Sequence, residues 1–294
     1  MVENKRQKII CSVIAYVLLT AAMLACLLPL LMIISASFST ETELLKTGYG
    51  FFPKGFTMNA YKSVCANSST LISSYKVTIF TTIVGTALNV LITSMAAYPL
   101  SRSNYKLRRG ISFYMYFTML FSGGAIPSYL LISQYLHLSN NILVLILPLC
   151  FSVWNCFILR TYFSKIPQAL IEAAKIDGLS EIGIFFRMII PLSCTGIATI
   201  AVLVAMGYWN EWYNCLMYMT DEQTITLQYF LYRTMSNIEA MLKNKDIGIV
   251  NLSEVPSETA RMAMCVLATG PMVFIFMFFQ KYFAKGINVG SVKG

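Results

Sequence analysis

Apolar residues run along this chain in long uncharged stretches, separated by short breaks that are polar, basic or rich in turn formers. Ile9–Thr40, Val77–Leu100 and Gly110–Leu159 contain no Asp, Glu, Lys or Arg. A stretch of about 20 apolar residues spans a bilayer as a helix, so each of these predicts at least one crossing. Read as one helix, Gly110–Leu159 would be about 75 Å long against a hydrocarbon core of about 30 Å, so it must turn back. The polar hinge Gln134–Asn141 marks the turn. Two further runs, 192–220 and 262–280, complete an all-α, polytopic pattern of six spans at about 9–35, 72–100, 110–133, 142–164, 192–220 and 259–283. The first run continues past Cys26 through Leu27–Ile34, which predicts a membrane helix rather than a cleaved secretory signal. Gly123, Gly124 and Pro127 interrupt the third span. Broken backbone at membrane depth is tolerated where protein or a watered cavity satisfies it, so these residues line either a pathway or a helix contact. Gly270-Pro271 predicts a kink in the last span.

Charge then orients the pattern. The segments 1–8, 101–109, 160–191 and 281–294 hold fourteen of the 22 basic residues, among them Arg102, Lys106, Arg108 and Arg109 in one short loop. Basic residues concentrate on the cytoplasmic side. Both termini are therefore expected inside, as residues 1–8 and a tail at 284–294, and so is the polar segment 166–191. The turn-rich stretch 40–70 and the stretch 221–258 are expected outside.

Segment 166–191 has its own grammar. Ile166-Pro167 opens a helix, since proline is tolerated at a first helical position. Leu170, Ala173, Ala174 and Asp177 follow at i, i+3, i+4 and i+7, on one helical face. Gly178 stands where a left-handed residue closes a helix, Ser180 can cap the next one with Glu181 in its first turn, and Pro191 ends it. Two short helices joined at a glycine, with small side chains flanked by acids, form a knob that another backbone can approach closely.

These residues resemble the EAA-x(2)-D-G-x(7)-F…P signature of ABC-importer membrane subunits, in the carbohydrate-importing branch related to maltose-transporter permeases. Glu172, Ala173, Ala174, Asp177, Gly178, Phe186 and Pro191 carry it, with Ile184 and Phe185 in the apolar positions around them. The likeness extends over most of the chain, through FSGGAIPSYLL and GYWNEWY to the terminal GSVKG. One departure is Thr195, where many relatives place a second proline four residues after Pro191. The resemblance implies the type I ABC importer permease fold, in a bacterial cytoplasmic membrane. Glu172–Asp177 would seat on a separate ATPase subunit, and Gly290, Ser291 and Lys293 of the tail would reach the ATPase dimer. It further implies a second homologous permease, two ATPase subunits and an extracellular sugar-binding protein as partners, with oligosaccharides as cargo.

Composition agrees with a membrane protein: 57% of residues are hydrophobic and 12% charged, against about 25% charged in soluble domains. The net charge of +9 lacks the aromatic-basic interleaving that single-strand nucleic-acid binders need. Eight scattered cysteines show no metal-like spacing and imply no disulfide framework. No G-x(4)-G-K-[ST] loop occurs, so ATP and Mg are expected on partner subunits, and this chain is expected to be no enzyme. His137, the single histidine, falls in the expected outer hinge with no nucleophile beside it in sequence. Trp209, Asn210, Glu211, Trp212 and Tyr213 form a dense aromatic-polar group in the fifth span. Sugars offer C–H faces to rings and hydroxyls to amides and carboxylates, so these residues are pathway candidates; an interfacial aromatic belt is the preferred reading for some of the rings, whereas Glu211, an acid within a span, is expected to face a cavity or a partner charge. Trp154 and Asn155 in the fourth span are candidates of the same kind. An ion- or proton-coupled secondary carrier is the alternative reading; it would show paired intramembrane charges and inverted repeats.

Overall fold

The computed structural model describes residues 5–243 and 258–288. Its helices are α1 (Lys5–Ser37), α2 (Glu41–Thr47), α3 (Asn59–Val64), α4 (Ser68–Ser101), α5 (Arg108–Leu120), α6 (Ala125–Leu130), α7 (Val153–Ser164), α8 (Gln168–Ile176), α9 (Glu181–Ile184), α10 (Ile190–Leu192), α11 (Cys194–Trp209), α12 (Tyr213–Tyr218), α13 (Leu227–Lys243) and α14 (Glu258–Asn288). Among the described residues they fall into two compact units, one on residues 5–68 with 233–243 and 258–270 and the other on 69–232 with 271–288.

In the first unit α1 keeps its apolar surface outward until its last turn, where Ser35, Ala36 and Ser37 are buried; Ile10–Ser37 has mean hydropathy 2.7 and nothing buried in its most apolar window. A helix apolar on every face needs lipid or another helix as solvent. The stretch expected as an irregular outer loop contains α2 and α3. Glu41 ties α2 to the last helix: its buried carboxylate accepts from the backbone N–H groups of Glu258 and Thr259, both at 2.9 Å, and from Thr259 Oγ1 at 2.7 Å. A carboxylate at a helix N-terminus satisfies donors that have no partner within the helix and complements the helix dipole.

The second unit is built against α4. Ser74, Thr78, Thr81, Thr82, Asn89 and Thr93 are buried along one face of it. Small side chains let neighbouring helices come close where lipid supplies no hydrophobic drive. Gly85 lies on the same face, and a Cβ there would stand 2.3 Å from the Tyr208 ring of α11. Gly196 does the same for α11 against Tyr162 of α7, at 2.6 Å.

Three of the expected spans are bent or broken. The third consists of α5 and a second leg, Ala125–Tyr135, set at 108° to it, with Gly124 at φ +89° in the break. The 13 residues of α5 reach about 20 Å, short of a full crossing. The fourth begins with two 3₁₀ turns, Ile142–Leu145 and Leu147–Leu149, and bends 49° into α7. Expected as one helix over 192–220, the fifth is α11 followed by α12, because Asn210–Trp212 leave the helical path. Three helices are long and apolar enough to cross a membrane, or up to six if each bent pair is one span. The cysteines among the described residues are all free.

Side chains from the neighbouring helices bond to carbonyls of the fourth segment's bend. Tyr208 Oη donates to the Ile146 carbonyl at 2.8 Å and Asn89 Nδ2 to that of Leu149 at 2.6 Å. Tyr208 and Asn89 are 1% and 2% exposed, so no water replaces either bond if it is lost. The Ile146 carbonyl keeps the Leu149 N–H at 3.3 Å, so Tyr208→Phe is expected to destabilise the folded chain by about 0.5–1.5 kcal/mol, the net worth of one hydrogen bond. Thermal unfolding in detergent would show it, and an unchanged midpoint would count against the bond.

Candidate functional site

Segment 166–191 folds into the helix–turn–helix that its sequence predicts. Pro167 stands just before α8 rather than inside it, a shift of one residue within the usual uncertainty of helix ends. Gly178 adopts φ +82°. Its N–H donates to the Lys175 carbonyl at 3.0 Å, and that of Leu179 to the Ala174 carbonyl at 3.0 Å. This pair of bonds is a Schellman motif, in which the left-handed residue is nearly always glycine. Ser180 Oγ accepts from the Gly183 N–H at 3.1 Å, capping the second helix. That helix continues through Phe185–Ile189 as a π-type turn into α10, then turns by 83° at Ser193 into α11. With Thr195 in place of a second proline, the entry to α11 is still sharp.

The expected face of Leu170, Ala173, Ala174 and Asp177 does not act as one. Ala174 (5% exposed) turns inward with Ile171 (1%) onto the chain's own core. Ile184 and Phe185 are buried in the same cluster, with Tyr98, Leu159 and Phe163. Outward lie Glu172, Ala173, Asp177, Gly178, Phe186 and Pro191, with Leu170 (45%), Ile176 (87%) and Ile182 (72%). The outer surface thus sets apolar side chains among charges of both signs, Glu172, Asp177 and Glu181 with Lys175 and Arg187, while Ala174, Ile184 and Phe185 anchor it. Gly290, Ser291 and Lys293 lie outside the described residues.

A polar knot missed in the sequence holds the turn against the spans. Glu181 pairs with Lys175 across the turn and accepts from Tyr98 Oη, near the end of α4, at 2.9 Å. The Lys175 bond, with smaller help from the Tyr98 hydroxyl and the Lys175 and Arg102 charges, holds the Glu181 carboxyl below its usual range against the opposing effect of burial. Arg102 lies over the Tyr98 ring, 5.6 Å from its centroid, and donates to the Phe163 carbonyl near the end of α7. The Tyr98 ring also packs on Phe185 at 5.7 Å. Glu181 read as a first-turn acid and Tyr98 as one aromatic in an apolar run; only folding brings them together. Tyr98→Phe keeps the ring and removes the hydroxyl. If this knot carries motion between the turn and α4, the variant should lose about fivefold in function through segment 166–191, near 1 kcal/mol for one bond to a partly exposed charge. Cargo moved per energy-yielding event is the quantity to measure, and parity with the parent would remove the knot from the account.

The pathway candidates are dispersed. Trp209 is buried (2%) at the end of α11. Asn210 is exposed; its Nδ2 donates to the Met206 carbonyl at 2.9 Å, and its Oδ1 accepts from Gln228 at 3.3 Å. Glu211 Oε1 accepts the Asn214 N–H at 2.6 Å, and its carbonyl accepts from Thr226 Oγ1 at 2.8 Å. That oxygen helps start α12, a local role that a bare sequence does not reveal. Trp212 is 39% exposed and Tyr213 44%, and the Trp212 ring packs on Tyr232 at 5.0 Å. Trp154 (61% exposed) and Asn155 sit at the start of α7. Neither is hydrogen-bonded or ring-stacked to the 209–213 group among the described residues. Gly123, Gly124 and Pro127 are all exposed.

Comparison with known proteins adds independent findings. A family model described as "Binding-protein-dependent transport system inner membrane component" matches residues 89–289. Protein LplC of Bacillus subtilis (strain 168) is 40% identical over 268 residues, covering 91% of this chain and 90% of that protein. The polygalacturonan/rhamnogalacturonan transport system permease protein YtcP of the same strain is 37% identical over 271 residues, covering 92% and 94%. Among solved structures, a bacterial ABC transporter involved in the import of the acidic polysaccharide alginate matches with a TM-score of 0.78 and 28% identity, over 96% of this chain and 100% of that one.

Proposed function

Because the chain belongs to the family of binding-protein-dependent transport system inner membrane components, we propose that it is the membrane-spanning permease subunit of an ATP-driven importer of oligosaccharides. The observation that carries this reading is the shape of segment 166–191. One face is fixed in the chain's own core through Ile171, Ala174, Ile184 and Phe185, and the other, with Glu172, Ala173, Ile176 and Asp177, is left open. A rigid projection with a small, apolar, acid-flanked tip suits a cleft on a partner subunit.

The partner is a cytoplasmic ATPase, present in two copies that bind ATP and Mg. Closure of the ATPase pair moves the projection. The knot of Glu181, Tyr98 and Arg102 passes that displacement to α4 and α7, while the 83° corner at Ser193 passes it to α11. Packed helices that switch between discrete arrangements then give alternating access. This assignment sets both termini and the projection in the cytoplasm, with six spans: three long helices, the two bent segments around α5 and α7, and α11 with α12. Gly290, Ser291 and Lys293 add a second contact to the ATPase pair, and a homologous permease and an extracellular sugar-binding protein complete the importer. The names of YtcP and of the alginate importer point to fragments of plant or acidic polysaccharides as cargo. An ion- or proton-coupled carrier finds no support in the family.

Reconstituting the complex and measuring ATPase stimulation by a panel of sugar-loaded binding proteins tests this reading. Stimulation by an oligosaccharide-loaded protein is expected, and ion-driven uptake without any ATPase subunit would overturn it. Glu172→Lys places a cation on the exposed tip. It should weaken ATPase co-purification roughly tenfold, the scale of one reversed charge at an interface, whereas recovery of the complex at parental yield would remove Glu172 from the contact.

A further inference from the structure

Where α4, α5 and α7 meet, a cavity of about 340 Å³ is lined by Ser101, Arg108, Phe157, Arg160, Thr161 and Ser164. Two guanidinium groups share this space. No Asp or Glu occurs between Glu43 and Glu172 in the chain, and neither arginine has a carboxylate partner among the described residues. Like charges lining one cavity repel unless an anion joins them.

The donors are available. Each guanidinium presents five N–H groups, and among the described residues the side-chain bond these two make is from Arg160 Nη1 to Ser112 Oγ, at 3.1 Å. The hydroxyls of Ser101, Thr161 and Ser164 donate to the carbonyls of Tyr98, Phe157 and Thr161, so the arginines define the ligand. Helix α5 opens at Arg108 with no acid in its first turn and no side-chain cap from Leu107, which adds backbone N–H groups of the same polarity. Planar forks that deliver paired N–H bonds match the oxygens of a phosphate group.

We propose that this cavity binds an anionic phosphate, carried by a phospholipid headgroup or present as inorganic phosphate. Basic pockets between helices at the cytoplasmic side of a membrane are where acidic headgroups bind, and the half-buried Phe157 offers an apolar wall beside the charges. A bound phosphate would bridge the start of α5 and the end of α7. The lipid source rests on the cytoplasmic placement proposed above; the inorganic source does not.

The test uses the full-length chain, first in nanodiscs containing phosphatidylglycerol, with retained lipids counted by native mass spectrometry. The paired variant Arg108→Gln/Arg160→Gln should retain about one anionic lipid fewer per chain than the parent, the loss of a single headgroup site. Arg109→Gln removes the same charge from an exposed neighbour that does not line the cavity, and it should retain the parental number. In a second arm, inorganic phosphate is titrated onto detergent-purified chain. A rise in unfolding temperature for the parent but not for the paired variant, with equal lipid counts, assigns the site to free phosphate. The paired variant Arg108→Lys/Arg160→Lys keeps the charge without the forks and should fall between parent and glutamine pair, which guards against misfolding as the cause. Equal behaviour of parent and glutamine pair in both arms overturns the proposal, as does a loss in Arg109→Gln as large as in the pair. Neither result bears on the coupling reading, which Glu172→Lys tests separately.

Discussion

Gly178→Val is expected to leave the chain in the membrane and lower transport at least tenfold, while ATP hydrolysis by the partner subunits continues. Nothing lies within 4 Å of a Cβ built at Gly178, so the effect comes from the backbone and not from a clash. At φ +82° a β-branched residue costs about 1–3 kcal/mol. The turn relieves this strain most readily by giving up the two bonds, Gly178 to Lys175 and Leu179 to Ala174, that close α8. Once they open, Lys175 and Glu181 no longer face each other, and the link from Glu181 to Tyr98 goes slack. The rigid lever becomes a loose strap, and motion of the ATPase subunits no longer reaches α4. Gly178→Asn separates the causes, because asparagine tolerates the left-handed region. It should keep most of the transport. Parental transport in the valine variant would sink the turn assignment, and equal loss in both variants would point to a contact at Gly178 rather than its conformation.

Gly85→Leu is expected to prevent recovery of folded protein, and Gly85→Ala to destabilise it measurably. A single added carbon meets Tyr208 Cζ at 2.3 Å and Cε1 at 2.4 Å, far inside van der Waals contact. The ring cannot step aside cheaply, since Tyr208 is 1% exposed and its hydroxyl is bonded to the Ile146 carbonyl. Overpacking costs about 1–3 kcal/mol, and breaking that buried bond adds about 0.5–1.5 kcal/mol. Thermal unfolding in detergent should therefore show a clear drop for Gly85→Ala. Adding Tyr208→Leu to that variant should return part of it, because residues in contact are not additive. Parental stability of Gly85→Ala would show that α11 does not pack here as described.

The contrast between Gly178 and Gly85 shows what the sequence revealed. Gly178 was legible because its neighbours announce it: a helical face before it, a capping serine two residues after it and a stop proline beyond. Gly85 is the one glycine of the uncharged run 77–100, but no cap, turn former or proline stands beside it, and its partner is 123 positions away. Tyr208 and Asn89 were hidden for the same reason, since the carbonyls they bond to belong to a bend that hydropathy cannot show. The breaks at 121–124, 150–152 and 210–212 joint the third, fourth and fifth spans. The glycines at 123 and 124 announced the first of these, and Pro191 announced the corner at 193. Glu211 stood in the sequence as one member of an aromatic-polar group, an acid expected to face a cavity or a partner charge, because its acceptor role depends on the helix restarting at Tyr213. Segment 166–191 was legible in its turn and caps, but its inward face was not. Which of Ala173 and Ala174 points outward depends on where α8 docks, and that is decided by Ile171 and the distant Phe163 and Leu159.

The claim everything else depends on is that the open tip of segment 166–191 touches the ATPase. Ile176 is 87% exposed at the end of α8, so a photo-reactive benzoylphenylalanine replacing it should disturb little. Irradiation of the assembled complex is expected to join this position to an ATPase subunit, with a yield that changes when ATP is added. A cross-link to the extracellular binding protein, or none to the ATPase in a complex that retains it, would contradict the account.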